Sequence, residues 1–236
     1  MKTMGLIGGI SWESSIKYYR IINQLVRERL GGHHSAKSIM FSFDFAEIEE
    51  LQRRGDWDEA TRKMINAGIY LQKANADFIV ICANTMHRMA EEVEAATALP
   101  LLHIADATAR AVKEEGIRKV GLLGTRFVME EDFYRERLTE RYELEVFIPD
   151  ERDRERVDRV IFDELVQGKI LPSSRQAYLE VISDLVDRGA EGMILGCTEI
   201  GLLVKEDEVE VPAFDTTVIH ATAAVDYAMG RYRIEG

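Results

Sequence analysis

One repeat constrains this chain more than any other feature. Gly5-Leu6-Ile7-Gly8-Gly9 returns as Gly121-Leu122-Leu123-Gly124-Thr125, each an apolar stretch that runs into a glycine turn and on into a helical segment. A second pair echoes in the same order, Ile79-Val80-Ile81-Cys82-Ala83-Asn84-Thr85 and Met193-Ile194-Leu195-Gly196-Cys197-Thr198-Glu199. Superposing the repeats sets Ala83 on Cys197. Open α/β sheets bind ligands at the carboxyl ends of their strands, where such turns fall, so two equivalent halves would bring two equivalent turns to one cleft.

The rest of the chain keeps that rhythm. Short apolar runs bounded by Gly, Asn or Thr predict strands at 3–7, 38–42, 78–82, 101–103, 119–123, 143–148, 192–195 and 211–214. Between them, apolar positions recur at three and four residues over 14–30, 57–74, 132–141, 153–166 and 174–188, the spacing of amphipathic helices. Strands alternating with helices give an α/β class with parallel sheets. No Ser/Gly spacer separates the halves. The expected division is 1–100 plus 212–236 for the first half and 101–211 for the second.

Composition removes several classes of function. Hydrophobic residues at 46% and charged residues at 31% fit a globular chain and exclude disorder. A net charge of −12, without a basic cluster, argues against nucleic acid, whose binding rests on Lys and Arg displacing counterions. It also disfavours anionic membranes. No apolar stretch is long enough to span a bilayer, and MKTMGLIGGISWESS lacks the features of a secretory signal, so a cytoplasmic location is expected. Two cysteines make no disulfide framework. The histidines His33, His34, His87, His103 and His220 form no tight metal-ligand spacing, and no metal is assigned.

Cys197 follows an apolar strand and precedes Thr198-Glu199, at a strand-to-helix turn where amides and a helix N-terminus stabilise a thiolate. A buried Cys can equally be a small hydrophobe. Cys82 lies one residue before the equivalent position, and adjacent strand side chains face opposite ways, so it is expected in the core. Asn84, Thr85, Thr198 and Glu199 could hold a carboxylate or ammonium, or serve as helix caps. His87, in the first helical turn, reads as a structural hydrogen-bonder. The segment Ser11 to Ser14 could wrap a small ligand, or simply start a helix capped by Ser11 or Ser14 over a buried Trp12; Gly8-Gly9 is too short of glycines for a dinucleotide fingerprint. Arg53, beside Gln52, and Lys169 are candidates for a carboxylate fork, or ordinary helix-end and turn charges.

GLIGGISWES, ANTMH, GLLGTRFVMEEDFY and GCTEI-GLL, in this order over nearly the whole chain, resemble the aspartate/glutamate racemase family, and most closely its L-aspartate/glutamate-specific branch. The resemblance implies two pseudo-symmetric Rossmann-like α/β domains with the active site in the cleft between them, a homodimer, and neither pyridoxal phosphate nor any other cofactor. It implies a small acidic amino acid as substrate. Two thiols flank the substrate α-carbon in the family, one before Asn-Thr and one before Thr-Glu, because inversion needs proton donor and acceptor on opposite faces. Carried across, Cys197 matches the second thiol. Asn84, Thr85, Thr198 and Glu199 match the substrate-binding turns; Ile10, Ser11, Gln52, Arg53, Thr125 and Lys169 match the remaining contacts, with Arg53 and Lys169 chosen for the side-chain carboxylate.

Ala83 departs from the pattern, since typical members hold Cys there and the branch this chain resembles holds Thr. Alanine cannot exchange a proton. Three explanations stand: a substitution that arrests turnover, an enzyme that uses water or another group as second partner, or a descendant with altered chemistry. The function expected is racemisation of aspartate or glutamate; the alternatives are a non-catalytic dicarboxylate binder and a one-thiol decarboxylase or isomerase.

Overall fold

The computed structural model describes residues 1–234. In the first half β1 (Met4–Gly8), α1 (Trp12–Leu30), β2 (Ser38–Ser42), α2 (Phe45–Arg54), α3 (Trp57–Lys73), β3 (Phe78–Ile81), α4 (Ala90–Thr97) and β4 (Leu101–Leu102) follow in order. The second half runs α5 (Ile104–Glu114), β5 (Lys119–Gly124), α6 (Arg126–Glu130), α7 (Asp132–Glu136), β6 (Glu145–Phe147), α8 (Glu151–Asp163), α9 (Pro172–Asp187), β7 (Gly192–Gly196), α10 (Ile200–Leu203), β8 (Ala213–Asp215) and α11 (Thr216–Ala228).

The first sheet has strand order β2-β1-β3-β4 and the second β6-β5-β7-β8, with every pairing parallel. The two orders are the same order read twice. Central strands β1, β3 and β7 are buried along their whole length, as parallel strands covered on both faces must be, which is why they read as unbroken apolar runs. Edge strands β2 and β6 are only half-buried. Ile7, Met64, Ile79 and Val93 belong to the first core; Leu123, Tyr178, Met193 and Leu195 to the second.

Local chemistry sets the helix ends. Asp44, Asp56, Thr125 and Asp150 each cap a helix by accepting a backbone N–H within its first turn, and Pro172 starts α9. The helix expected over 132–141 is shorter, because α7 gives way to a π-helical turn at Arg137–Arg141. Glu143 then takes a φ of 57°, which bars extended backbone, and β6 starts two residues later than expected, at Glu145. Trp12, which the capped-helix reading would bury, is 59% exposed.

The division of the chain also differs from the expected one. The first unit is Met1–His103 with His220–Gly236 and the second is Ile104–Ile219. A strand belongs with the sheet that bonds it. β4 pairs with β3, and β8 pairs with β7, so 101–102 join the first unit and 213–215 the second, while the first residues of α11, 216–219, go with β8. Among the described residues no helix is long and apolar enough to cross a membrane.

Candidate active site

The sheet registers make the two turns equivalent. Gly5 lies opposite Ile79 and Gly121 opposite Met193; Ile7 lies opposite Ile81 and Leu123 opposite Leu195. Two residues beyond Ile81 and Leu195 stand Ala83 and Cys197. Hydrogen-bonded pairing therefore gives the same superposition as the repeated sequence.

In the second half β7 ends on Gly196, which only glycine fits, since a Cβ there would sit 2.9 Å from the Leu123 carbonyl oxygen. Cys197 follows, a buried free thiol. Its Sγ–H donates to Glu199 Oε2 at 3.1 Å, and the Thr198 hydroxyl donates to the same oxygen at 2.6 Å. The Ile200 N–H closes the turn on the Cys197 carbonyl at 3.1 Å. Thr125 occupies the matching end of the neighbouring strand, one residue past Gly124, which pairs with Gly196; its hydroxyl caps α6 at the Val128 N–H.

This setting reverses one expectation. Turn amides and a helix N-terminus were expected to stabilise a Cys197 thiolate, but the helix that follows, α10, is a single turn. Burial instead pushes the thiol well above its ordinary range, and the negative charge of Glu199 pushes it further; the Glu199 backbone N–H, bonded to the sulfur, works the other way. Asp158 adds a smaller push of the same sign as the burial. Tyr178 shares the apolar cluster of Cys197 and donates its hydroxyl to the Val157 carbonyl at 2.8 Å.

The first half gathers its residues at the ends of β1 and β3. Ile10 and Ala83 are both buried in the first core, with Met86. Gln52, buried on α2, donates to Met86 Sδ at 3.2 Å. Gly9 has a φ of 79° and no room for a side chain, and Ser15 Oγ accepts its N–H at 2.8 Å while donating to the Ser11 carbonyl at 3.1 Å. Ser11 is the N-cap residue of α1, without a side-chain capping bond. Asn84 and Thr85 are buried at the start of a 3-10 turn, Thr85–Met89. Cys82 is wholly buried, and burial alone raises its thiol.

His87 donates from Nδ1 to the Ala83 carbonyl at 2.8 Å, because a carbonyl can only accept. Its ring centroid lies 4.7 Å from that of His103 and 5.5 Å from that of His220. By the same reasoning His220 Nε2 donates to the Leu102 carbonyl at 2.9 Å, leaving Nδ1 to accept from the Tyr18 hydroxyl at 2.8 Å. Among the described residues, no group of three or more His, Cys, Asp or Glu is arranged to hold a metal ion.

Two candidates stand apart from these clusters. Arg53 faces solvent on α2, 3.9 Å from Glu49, and Lys169 is exposed after Gly168, with Nζ 2.7 Å from Gln167 Oε1.

The profile of the Asp/Glu/Hydantoin racemase family matches residues 7–224. The chain belongs to that family. The candidate Asp/Glu racemase of Yersinia pestis, in its crystal structure, is 58% identical and superposes with a TM-score of 0.91, covering 97% of this chain and 100% of that one. The crystal structure of an aspartate racemase homologue from Pyrococcus horikoshii OT3 is 34% identical, with a TM-score of 0.83 and the same coverage. The broad specificity amino-acid racemase RacX of Bacillus subtilis (strain 168) is 25% identical over 170 residues, 72% of this chain and 73% of its own length. An Asp/Glu racemase family member thus carries Ala83 at the turn equivalent to Cys197.

Sequence reasoning named the turn residues but missed what surrounds the thiol. Tyr178 lies in an amphipathic helix and reads as ordinary core, and Asp158 as one charge among many in α8. The Cys197–Glu199 contact left no mark in the sequence beyond the two residues' closeness along the chain, since it depends on how the folded turn directs both side chains.

Proposed function

We propose that the chain handles aspartate or glutamate without a cofactor, Cys197 removing and returning the α-proton at one face and Ala83 offering no group for the other. The observation that carries this reading is the Cys197 thiol, buried at a strand end with its S–H on a carboxylate, in a chain of the Asp/Glu/Hydantoin racemase family. Removing an α-proton leaves a carbanion whose charge spreads onto the substrate carboxylate. Backbone N–H groups at the turns of Ser11, Asn84, Thr85, Thr125 and Thr198 are suited to receive that charge. Gln52 and Ile10 would line the Ala83 side of the site, where Ile10 shares the core of Ala83 and Gln52 meets Met86.

Arg53 and Lys169 would serve the side-chain carboxylate by leaving Glu49 and Gln167. An exposed ion pair such as Arg53–Glu49 is worth about 0–1 kcal/mol, and Lys169 meets only a neutral amide oxygen, so a bound carboxylate can displace either partner. The family resemblance also implies a second copy of the chain. We place that contact on α1 and β2, where Trp12, Ile16, Tyr19 and Met40 are exposed beside an edge strand. Sedimentation should give a dimer that Tyr19→Glu weakens; a monomer at all concentrations rejects it.

Ala83 favours one other reading, a one-thiol enzyme that protonates a single face of an enediolate made by decarboxylation or isomerisation. The deciding experiment follows α-proton exchange of L- and D-aspartate and L- and D-glutamate in deuterated buffer. One enantiomer is expected to take up deuterium in wild type and to stop doing so in Cys197→Ala. Binding of dicarboxylates without exchange would make the chain a binding protein, and exchange that survives Cys197→Ala would reject the thiol.

A further inference from the structure

We propose that Glu199 is the proton acceptor of Cys197: the thiol rests protonated on the Glu199 carboxylate and becomes the base by passing its proton to Oε2. This rests on the reading of Cys197 as the acid/base group, and moves Glu199 from the substrate contacts to the reacting pair.

The geometry has three parts. Sγ lies 3.1 Å from Oε2, so donor and acceptor are already in hydrogen-bond contact. The Thr198 hydroxyl, 2.6 Å from the same Oε2, fixes the carboxylate against the sulfur. The Glu199 backbone N–H points at the sulfur and stabilises the sulfide left when the proton moves. One residue therefore supplies the acceptor for the proton and a donor for the charge it leaves behind.

Charge counting favours transfer over ionisation to solvent. Losing the thiol proton to water would set two negative charges about 3 Å apart in a buried site, with Asp158 adding a third nearby. Passing the proton across the pair keeps one negative charge throughout. The step balances simply: the S–H bond breaks, the O–H bond forms, and the electron pair stays on sulfur. The thiolate then takes the substrate α-hydrogen as a new S–H, the C–H electron pair stays on the α-carbon, and return of the proton reverses each step.

Iodoacetamide alkylation of Cys197, followed by peptide mass spectrometry to separate it from Cys82, tests the pair without any substrate. If the proton is shared, wild type keeps a pH-independent alkylation rate from about pH 6 to pH 8, from the minor thiolate form. Glu199→Gln keeps the shape but accepts no proton, and its rate should rise about tenfold per pH unit over the same range. Should Glu199→Gln fail to fold, Glu199→Asp keeps the plateau at a lower rate. Parallel unit-slope profiles in wild type and variant would overturn the proposal.

Exchange separates this result from the broader reading. Removing the charge of Glu199 eases ionisation of the thiol, so a merely repulsive Glu199 predicts faster α-proton exchange in Glu199→Gln. A proton acceptor predicts a loss of about 100-fold near neutral pH, because in the substrate-bound protein the thiol then has no group to take its proton. Exchange equal to or above wild type overturns the acceptor role. A plateau without any exchange of either amino acid would leave the pair standing and reject the racemase reading.

Discussion

At Cys197 position and reactivity are set by different neighbours. Gly196 sets position: its missing Cβ lets β7 close on the Leu123 carbonyl, and an added methyl would meet that oxygen at 2.9 Å and Leu122 Cδ1 at 3.1 Å. Neither the backbone nor a packed leucine yields easily. Gly196→Ala is expected to cost about 1–3 kcal/mol in urea unfolding and to lower α-proton exchange by displacing the thiol. Unchanged stability and exchange would mean that the strand end relaxes freely. Reactivity was less legible. The repeat marks Cys197 and Ala83 as counterparts, and motif order marks Glu199, but only the folded turn puts Oε2 on the sulfur. Arg53 and Lys169 show the opposite case, since a cation's sequence neighbours do not say whether it points inward.

Among the elements, the loop after β1 and the start of α11 carry the clearest consequences. Ser15 ties Gly9 to α1 through two bonds, so Ser15→Ala leaves a buried N–H without its acceptor. The expected loss is about 1–3 kcal/mol of stability, with a larger effect on KM than on kcat, since the loop positions Ile10 and Ser11. His220 on α11 meets the Tyr18 hydroxyl from α1, the Leu102 carbonyl from β4 and the His87 ring from the 3-10 turn, and His103 adjoins His87. Burial first, then the neighbouring His87, lowers its pKa to about 3. Since the folded value lies below the unfolded value of about 6.5, its stabilisation is full above pH 6.5 and is lost as pH falls toward 3. The loss amounts to on the order of 5 kcal/mol at about 1.4 kcal/mol per unit. His220→Gln keeps a donor and an acceptor without titrating, and should flatten the decline of the urea midpoint across that range. A parallel decline in both proteins would assign the acid sensitivity elsewhere.

For the whole molecule, the duplication was legible because it is written in apolar runs and glycines. The eight strands among the described residues lie within a few residues of the expected runs, and the central ones read most plainly because parallel strands buried on both faces are apolar throughout. The boundaries of the halves were not legible. Residues 101–102 and 213–215 follow strand pairing rather than distance along the chain, and pairing leaves no local mark. Trp12 misled because a large aromatic suggests core, whereas here it belongs to an exposed apolar face on α1. Two sheets of identical order, with registers that place Ala83 where the other half has Cys197, make the central claim one about a missing group. The most direct measurement is chiral chromatography of L- and D-aspartate and glutamate incubated with Ala83→Cys. Interconversion of the enantiomers, absent in wild type and abolished again by adding Cys197→Ala, is the result predicted. A folded Ala83→Cys protein that inverts neither amino acid would contradict the account.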